Sequence, residues 1–375
     1  MKNRVTVNQL ALLLLLVLSG GKFLGLPAII AGEVDHDGWL SMSVCFLCDA
    51  LCLAFVLWAI KANRYHTDFN SILNKTLGKF ASKVIMTVFF VVFILRILVL
   101  CDSCYEMFSV TFDVNASWLI FILPIIVVAC IAIAVGFRAV ARMGQLLFVI
   151  IVLSLIALIM PPLALAEFGS LLPVGEAGAA AILRTAYKCS FWFSDYIFLY
   201  FVMDNVATKK GGRVFLPVFV AFSIGAILVV LTDVVFVSLY GSYASQNTLA
   251  MSKIGIFSVS ESTNGRWDWL TMSVWSLSVL LKIIIFVYCA YKCIEFIFDA
   301  KFAKVNWVAV AAIASLTAVP MFISVQTLLD SVVEPLQPLF VAVQYLLPLF
   351  MPLLVCLTNK KSKEVSACTI SRNLL

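Results

Sequence analysis

The sequence predicts an all-α, polytopic membrane protein of about ten transmembrane helices, and three observations lead there. The chain is 63% hydrophobic and 12% charged, where soluble domains are about half apolar and about a quarter charged. Apolar runs of about twenty residues, the length a helix needs to cross hydrocarbon, recur from end to end. The basic residues gather in alternate connections, the pattern that fixes orientation in a bilayer. At that span length, residues 1–375 read as one transmembrane domain ending in a short tail at 358–375.

Ten spans account for the apolar runs: Val7–Ala31, Gly38–Ile60, Val84–Phe108, Trp118–Val135, Gln145–Leu165, Ile182–Asn205, Val214–Tyr240, Trp269–Tyr291, Trp307–Val325 and Leu339–Leu357. The start, "MKNR" before "LALLLLLVL", imitates a signal peptide. No small-x-small cleavage site follows and the apolar run continues, so it reads as a retained first span. Nineteen of the 26 lysines and arginines flank one set of span ends, whereas Lys253 and Arg266 are the basic residues of the opposite loops. That asymmetry holds for an even span count with both termini cytoplasmic. The polar outer loop Ser242–Asp268 could cap the outer mouth. The loop after the second span, "ANRYHTDFNSILNKTLGKF", could form an amphipathic surface helix.

Five basic residues remain inside spans: Lys22, Arg96, Arg184, Lys188 and Lys282. Arg184 lies near a boundary and can snorkel. The other four are deeper, where each costs roughly 2.5–3.5 kcal/mol at a helix centre and by default faces a bundle interior or watery cavity. Asp49, Asp195 and Asp233 are acidic counterparts at comparable depth; sequence alone leaves open which pairs with which.

The first span carries the strongest local signal. In "LSGGKFLGLPA", Ser19, Gly20, Gly21, Gly25 and Pro27 surround Lys22 and Phe23. Glycine costs about 1 kcal/mol and proline about 3 kcal/mol against alanine in a helix, so an unbroken helix is not expected. Non-helical backbone at membrane depth is tolerated where it is buried in protein or lines a cavity, and transporters build substrate sites at such breaks. Close packing of a small-xxx-small patch at Gly21 and Gly25 is the competing explanation, but it accounts for neither Lys22 nor Pro27. Ten spans divide into five and five, with the second half inverted (about 7–165 and 182–357), so the sixth span corresponds to the first. There, Lys188, Trp192 and Asp195 share one helical face, with Ser190 and Ser194 nearby. No glycine or proline breaks this span; unwinding at 191–194 is expected without a local cause.

Enzyme chemistry is not expected. His36 and His66 both lie in loops, and no nucleophile–base constellation is present. Most of the eleven cysteines sit in apolar runs, where cysteine behaves as a small hydrophobe. The "CDSC" at 101–104 lacks the context of a redox or zinc motif. No metal or cofactor is expected, and the sequon at Asn115 reads as incidental.

"VTVNQLALLLLLVLSGGKFLGLPA" followed by "GWLS", then "RAVARMGQ", "LLPV" and "RWDWLTMSVWSLSVLLKIIIFVY", in that order, resemble the B subunits of bacterial spore germinant receptors. These endospore germination permeases belong to the amino acid–polyamine–organocation superfamily. The resemblance runs over essentially the whole chain. It implies a LeuT-like fold and residence in the inner spore membrane. It also implies binding of a nutrient such as an amino acid, with an A-type membrane subunit and a C-type lipoprotein as partners. The implied ligand site comprises Ser19, Gly20, Gly21, Lys22, Phe23 and Gly25 of the first span; Phe191, Trp192, Ser194 and Asp195 of the sixth; Arg96 of the third; and Lys282 of the eighth, to which the shared face of the sixth span adds Lys188. The family often has an arginine ahead of the second span, where this chain reads "HDGW" from His36 to Trp39. The resemblance admits either a receptor that passes a signal to its partners or a proton- or cation-coupled amino acid permease.

Overall fold

The structure, a computed structural model, describes residues 5–62, 69–111, 117–206, 214–247, 249–256, 267–298 and 324–356. Helix α1 (Val7–Ser19) starts at a capping box, with the Gln9 amide donating to the Thr6 hydroxyl and the Thr6 amide to Gln9 Oε1. It stops at Gly20, and the chain runs without helix to Gly25. Helix α2 (Leu26–Val34) then begins with Pro27 in its first turn, where a missing N–H costs nothing. The first span is therefore two half-helices, as its glycines and proline predict.

A 3₁₀ turn, Asp35–Asp37, leads into α3 (Gly38–Ala62). Gly38 is required there, because a Cβ would sit 2.9 Å from Ile30 Cγ2. Helix α4 (Phe69–Leu77) buries Phe69, Ile72 and Leu73 against α5 (Lys79–Thr111) and exposes Asn74 and Lys75. It is the amphipathic helix anticipated after the second span. Helix α6 (Trp118–Val135) has the predicted bounds, while α7 (Phe137–Leu163) begins eight residues before the expected Gln145. Gly136 separates them at φ 102°, a left-handed turn that suits glycine.

The sixth span is also broken. Helix α8 (Ala179–Cys189) gives way to a 3₁₀ turn, Ser190–Trp192, then to Ser194 in the left-handed region (φ 63°) and a second 3₁₀ turn, Asp195–Phe198, before α9 (Leu199–Val202). Helices α10 (Phe215–Tyr240), α11 (Ala250–Ile256) and α12 (Trp267–Ile297) follow. The last span is longer than its predicted Leu339–Leu357. It runs from Leu329 to Cys356, contains α14 (Glu334–Val341) and π-helical turns at Leu329–Val333 and Ala342–Leu346, and follows a short α13 (Val325–Leu328).

Among the described residues, seven stretches are long and apolar enough to cross a membrane, one of them running from Leu26 to Lys61 through the 35–37 turn. Nearly all of the predicted ninth span, the 358–375 tail, the sequon and much of the 242–268 loop lie outside the described residues. The count of ten therefore rests on residues beyond those described. Helices α1 and α12 are buried almost throughout and pack on each other, with α5 and α7 against α12 and α10 against α1. Helix α6 leaves Ile120, Leu123, Ile131 and Val135 exposed, an apolar face suited to lipid.

Candidate functional site

The two breaks face each other. Lys22, in the gap between α1 and α2, donates to Asp195 Oδ2 across to the broken sixth span. Two more cations converge on the same carboxylate: Lys282 Nζ of α12 lies 2.9 Å from Oδ2, and Arg96 Nη1 of α5 lies 3.4 Å from Oδ1. All four side chains are at most 5% exposed. Aromatic rings enclose the cations. Lys22 Nζ is 5.3 Å from the Phe193 ring centre, Arg96 Cζ 5.6 Å from Phe191 and Lys282 Nζ 5.6 Å from Phe286, distances that favour cation–π attraction in a desolvated setting.

Asp49 is close by but is committed elsewhere. Its Oδ2 accepts from the Ser194 amide at 2.8 Å and its Oδ1 from the Ser194 hydroxyl at 3.3 Å. Arg96 Nη2 donates to the Phe193 carbonyl, and Gln337 Nε2 donates to the Tyr187 and Lys188 carbonyls and to Ser190 Oγ. The Tyr196 hydroxyl donates to the Gln344 carbonyl at 2.7 Å. Side chains from α3, α5 and α14 thus take up the polar groups that a continuous sixth helix would have satisfied itself.

A cavity of about 300 Å³ opens beside these groups, lined by Gly21, Lys22, Gly25, Arg96, Phe191, Trp192, Asp195 and Lys282. Five of the thirteen residues expected at the site lie elsewhere. Ser19 and Phe23 line a separate small void with Trp275 and Ser278. Gly20 packs on α12, where a Cβ would meet Ser278 Oγ at 2.9 Å and the Ser278 carbonyl at 3.0 Å. Ser194 is fully buried and bonded to Asp49. Lys188 is half-exposed and paired with Glu33 at 2.7 Å, outside the cavity. The face shared by Lys188, Trp192 and Asp195 does not exist, because the helix ends at Cys189. Close packing also has a part at the glycines: at Gly21 a Cβ would fall 2.6 Å from Leu100 Cδ2 and 3.4 Å from Lys282 Nζ.

The sequence reading missed Asp102 and Glu106, which line the same cavity. Their spacing of four on the third span was the available signal. In the "CDSC" stretch, Asp102 lines the cavity, while Cys101 and Cys104 are buried. Ser245 lines the cavity too, and Leu24 in the first break accepts a bond from the Ala250 amide. The described start of the 242–268 loop packs against α2.

Near the start of α1, polar contacts tie the described elements together. The Val5 amide donates to the Asn205 carbonyl at 2.8 Å in a bridge that pairs Val5 with Val206. Asn205 Nδ2 donates to the Tyr288 hydroxyl at 2.9 Å, and Gln9 Nε2 to Gln145 Oε1 at 3.0 Å.

Two broken helices around a charged pocket in an all-helical bundle are the marks of a multi-pass membrane protein of the permease type. Residues 4–327 match the family described as spore germination protein. The chain belongs to that family. No curated protein matches it. Among solved structures it is similar in fold to the manganese transporter of Eremococcus coleocola. The complex of that transporter with an aromatic bis-isothiourea substituted compound gives a TM-score of 0.54 at 10% identity, covering 94% of this chain and 76% of that chain. A histidine-to-alanine variant gives 0.53 at 11% and a glutamate-to-glutamine variant 0.54 at 10%, with the same coverages. At such identity the likeness is one of fold, and it agrees with the all-α, LeuT-like class expected from the sequence.

Proposed function

We propose that this chain is the B-type subunit of a germinant receptor and binds a small carboxylate-bearing nutrient, an amino acid by preference, in the cavity between its two broken helices. One observation carries the reading: three buried cations, Lys22, Arg96 and Lys282, converge on the single carboxylate of Asp195 at the cavity base. Three cations against one carboxylate leave a surplus of two positive charges, and a carboxylate from the ligand reduces it. The amide end of α2 points its positive dipole toward the same gap. The volume, about 300 Å³, is at the small end of the range for ligand pockets, about 300–1,000 Å³, and suits a single small solute. The partners are an A-type membrane subunit and a C-type lipoprotein, and the site is the inner spore membrane with both termini cytoplasmic. The halves at about 7–165 and 182–357 form an inverted repeat, a reading supported by the matching breaks in spans one and six.

A working proton- or cation-coupled permease is the second reading. It is favoured by a cavity toward one end of the described bundle and polar cross-links toward the other, an asymmetry of the kind that alternating access uses. Manganese does not carry over from the transporter of similar fold, because three cationic side chains at the cavity base repel a divalent cation.

Lys22→Ala and Gly25→Leu are expected to abolish the nutrient response of spores while the protein still reaches the membrane by immunoblot. Wild-type sensitivity in both variants defeats the site assignment. Uptake of labelled amino acid by the purified chain in liposomes, without partners, separates the permease from the receptor.

A further inference from the structure

The ion cluster explains the base of the cavity and leaves its mouth unaccounted for. Asp102 and Glu106 sit one turn apart on α5, both lining the cavity, Asp102 half-buried and Glu106 exposed. Neither carboxylate has a hydrogen-bond or ion-pair partner among the described residues. Like charges at this spacing destabilise a helix by about 0.2–0.5 kcal/mol, and placing them in the mouth of an apolar bundle adds a desolvation cost. Nothing among the described residues offsets that cost.

Charge is therefore segregated along the cavity. Arg96, Lys22 and Lys282 hold the deep end; Arg96 is 4% exposed and its Nε has no partner among the described residues. Counting Asp195 and the neighbouring Asp49, the deep end keeps a formal surplus of one positive charge, and the mouth carries two negative charges. Arg96 and Asp102 are six residues apart on one helix, about 9 Å along its axis at 1.5 Å per residue. A solute whose only charges are an α-carboxylate and its adjacent α-ammonium is too short to reach both ends.

We infer that the ligand is an amino acid with a cationic side-chain end, of the lysine class, lying lengthwise in the cavity. This rests on the carboxylate-binding reading above. The α-carboxylate meets Arg96, Lys282 and the amide end of α2. The α-ammonium turns toward the carbonyl end of α1. The distal ammonium is held between Asp102 and Glu106, and the aliphatic stem crosses Val99 and Phe191.

The test is binding of three probes to the purified full-length chain in nanodiscs, followed by calorimetry: L-lysine, L-norleucine and 1,5-diaminopentane. Norleucine keeps the length and the α-carboxylate but lacks the distal charge; the diamine keeps the charges of the ammonium ends but lacks the carboxylate. Lysine is expected to bind at least about tenfold more tightly than norleucine, the scale of one charge-assisted contact. The diamine is expected not to bind. In the double variant Asp102→Asn, Glu106→Gln, the lysine-to-norleucine ratio is expected to fall to about one. Equal binding of lysine and norleucine to the unmodified chain, or a ratio unchanged in the double variant, overturns the distal-cation inference and leaves the carboxylate reading standing. Diamine binding as tight as lysine, or binding of none of the three, overturns the carboxylate reading and this inference with it.

Discussion

The two lysines singled out with equal weight in the sequence, Lys22 and Lys188, have opposite fates. Lys22 is 1% exposed and ion-paired in the core, whereas Lys188 and its partner Glu33 are 49% and 38% exposed. Removing one member of a buried pair strands the other and typically costs about 3–5 kcal/mol, whereas an exposed pair is worth about 0–1 kcal/mol before screening by salt. Lys188→Ala is accordingly expected to leave nutrient sensitivity within about twofold of wild type, and thermal unfolding of the purified chain within a few degrees. A loss of response as complete as that of Lys22→Ala contradicts the placement of Lys188 outside the site. The sequence could not separate the two lysines, because it gives depth along a span and says little about which way an unwound segment turns. Lys22 was legible because glycines and proline around it mark the break directly. Lys188 was grouped with Asp195 by a helical spacing that ends at Cys189.

At the scale of elements, the two breaks differ in how they are encoded. The first is local: Gly20 to Gly25 cannot hold a helix well, and Pro27 restarts one. The second has no glycine or proline from Lys188 to Asn205, and its cause is tertiary. Asp49 of α3 captures the Ser194 amide, Arg96 captures the Phe193 carbonyl, and Gln337 captures two carbonyls of α8. Such contacts join residues more than ninety positions apart and are invisible to a reading of spacing within one span. They also make Asp49 a structural residue: it does not line the cavity and holds Ser194 in its left-handed conformation. Asp49→Ala is expected to lower stability by about 1–3 kcal/mol, the cost of leaving the buried Ser194 donors unpaired. Increased hydrogen exchange in the 190–198 segment is expected with it. Unchanged exchange there shows that the kink is held by other contacts.

At the scale of the whole molecule, the cavity and a set of polar cross-links lie toward opposite ends of the described helices. The acidic mouth and Ser245 lie at the end where α5 finishes and α2 begins its turn toward α3. The opposite end is shut by the Val5–Val206 bridge, the Asn205–Tyr288 bond and the Gln9–Gln145 bond. In a receptor this leaves the site readable from one side; in a permease it is one of two end states, and the shut end has to open. The permease reading requires the closure to be marginal, and a few polar bonds and a single bridge resist local opening far less than a packed core does. The Asn205–Tyr288 bond joins the end of the broken sixth span to α12, which also carries Lys282, so opening at the closed end is mechanically linked to the ligand cluster. Tyr288→Phe removes the hydroxyl and leaves the ring packed near Phe137. Loss of about 1 kcal/mol is expected to raise the open population about fivefold. Hydrogen exchange at the amides of 199–206 is expected to accelerate by that factor, while 26–34, at the cavity mouth, keeps its wild-type rate. Equal acceleration in both segments indicates general destabilisation and defeats the assignment of Tyr288 to the closure; no acceleration in either shows that the bridge and the glutamine pair hold that end without it.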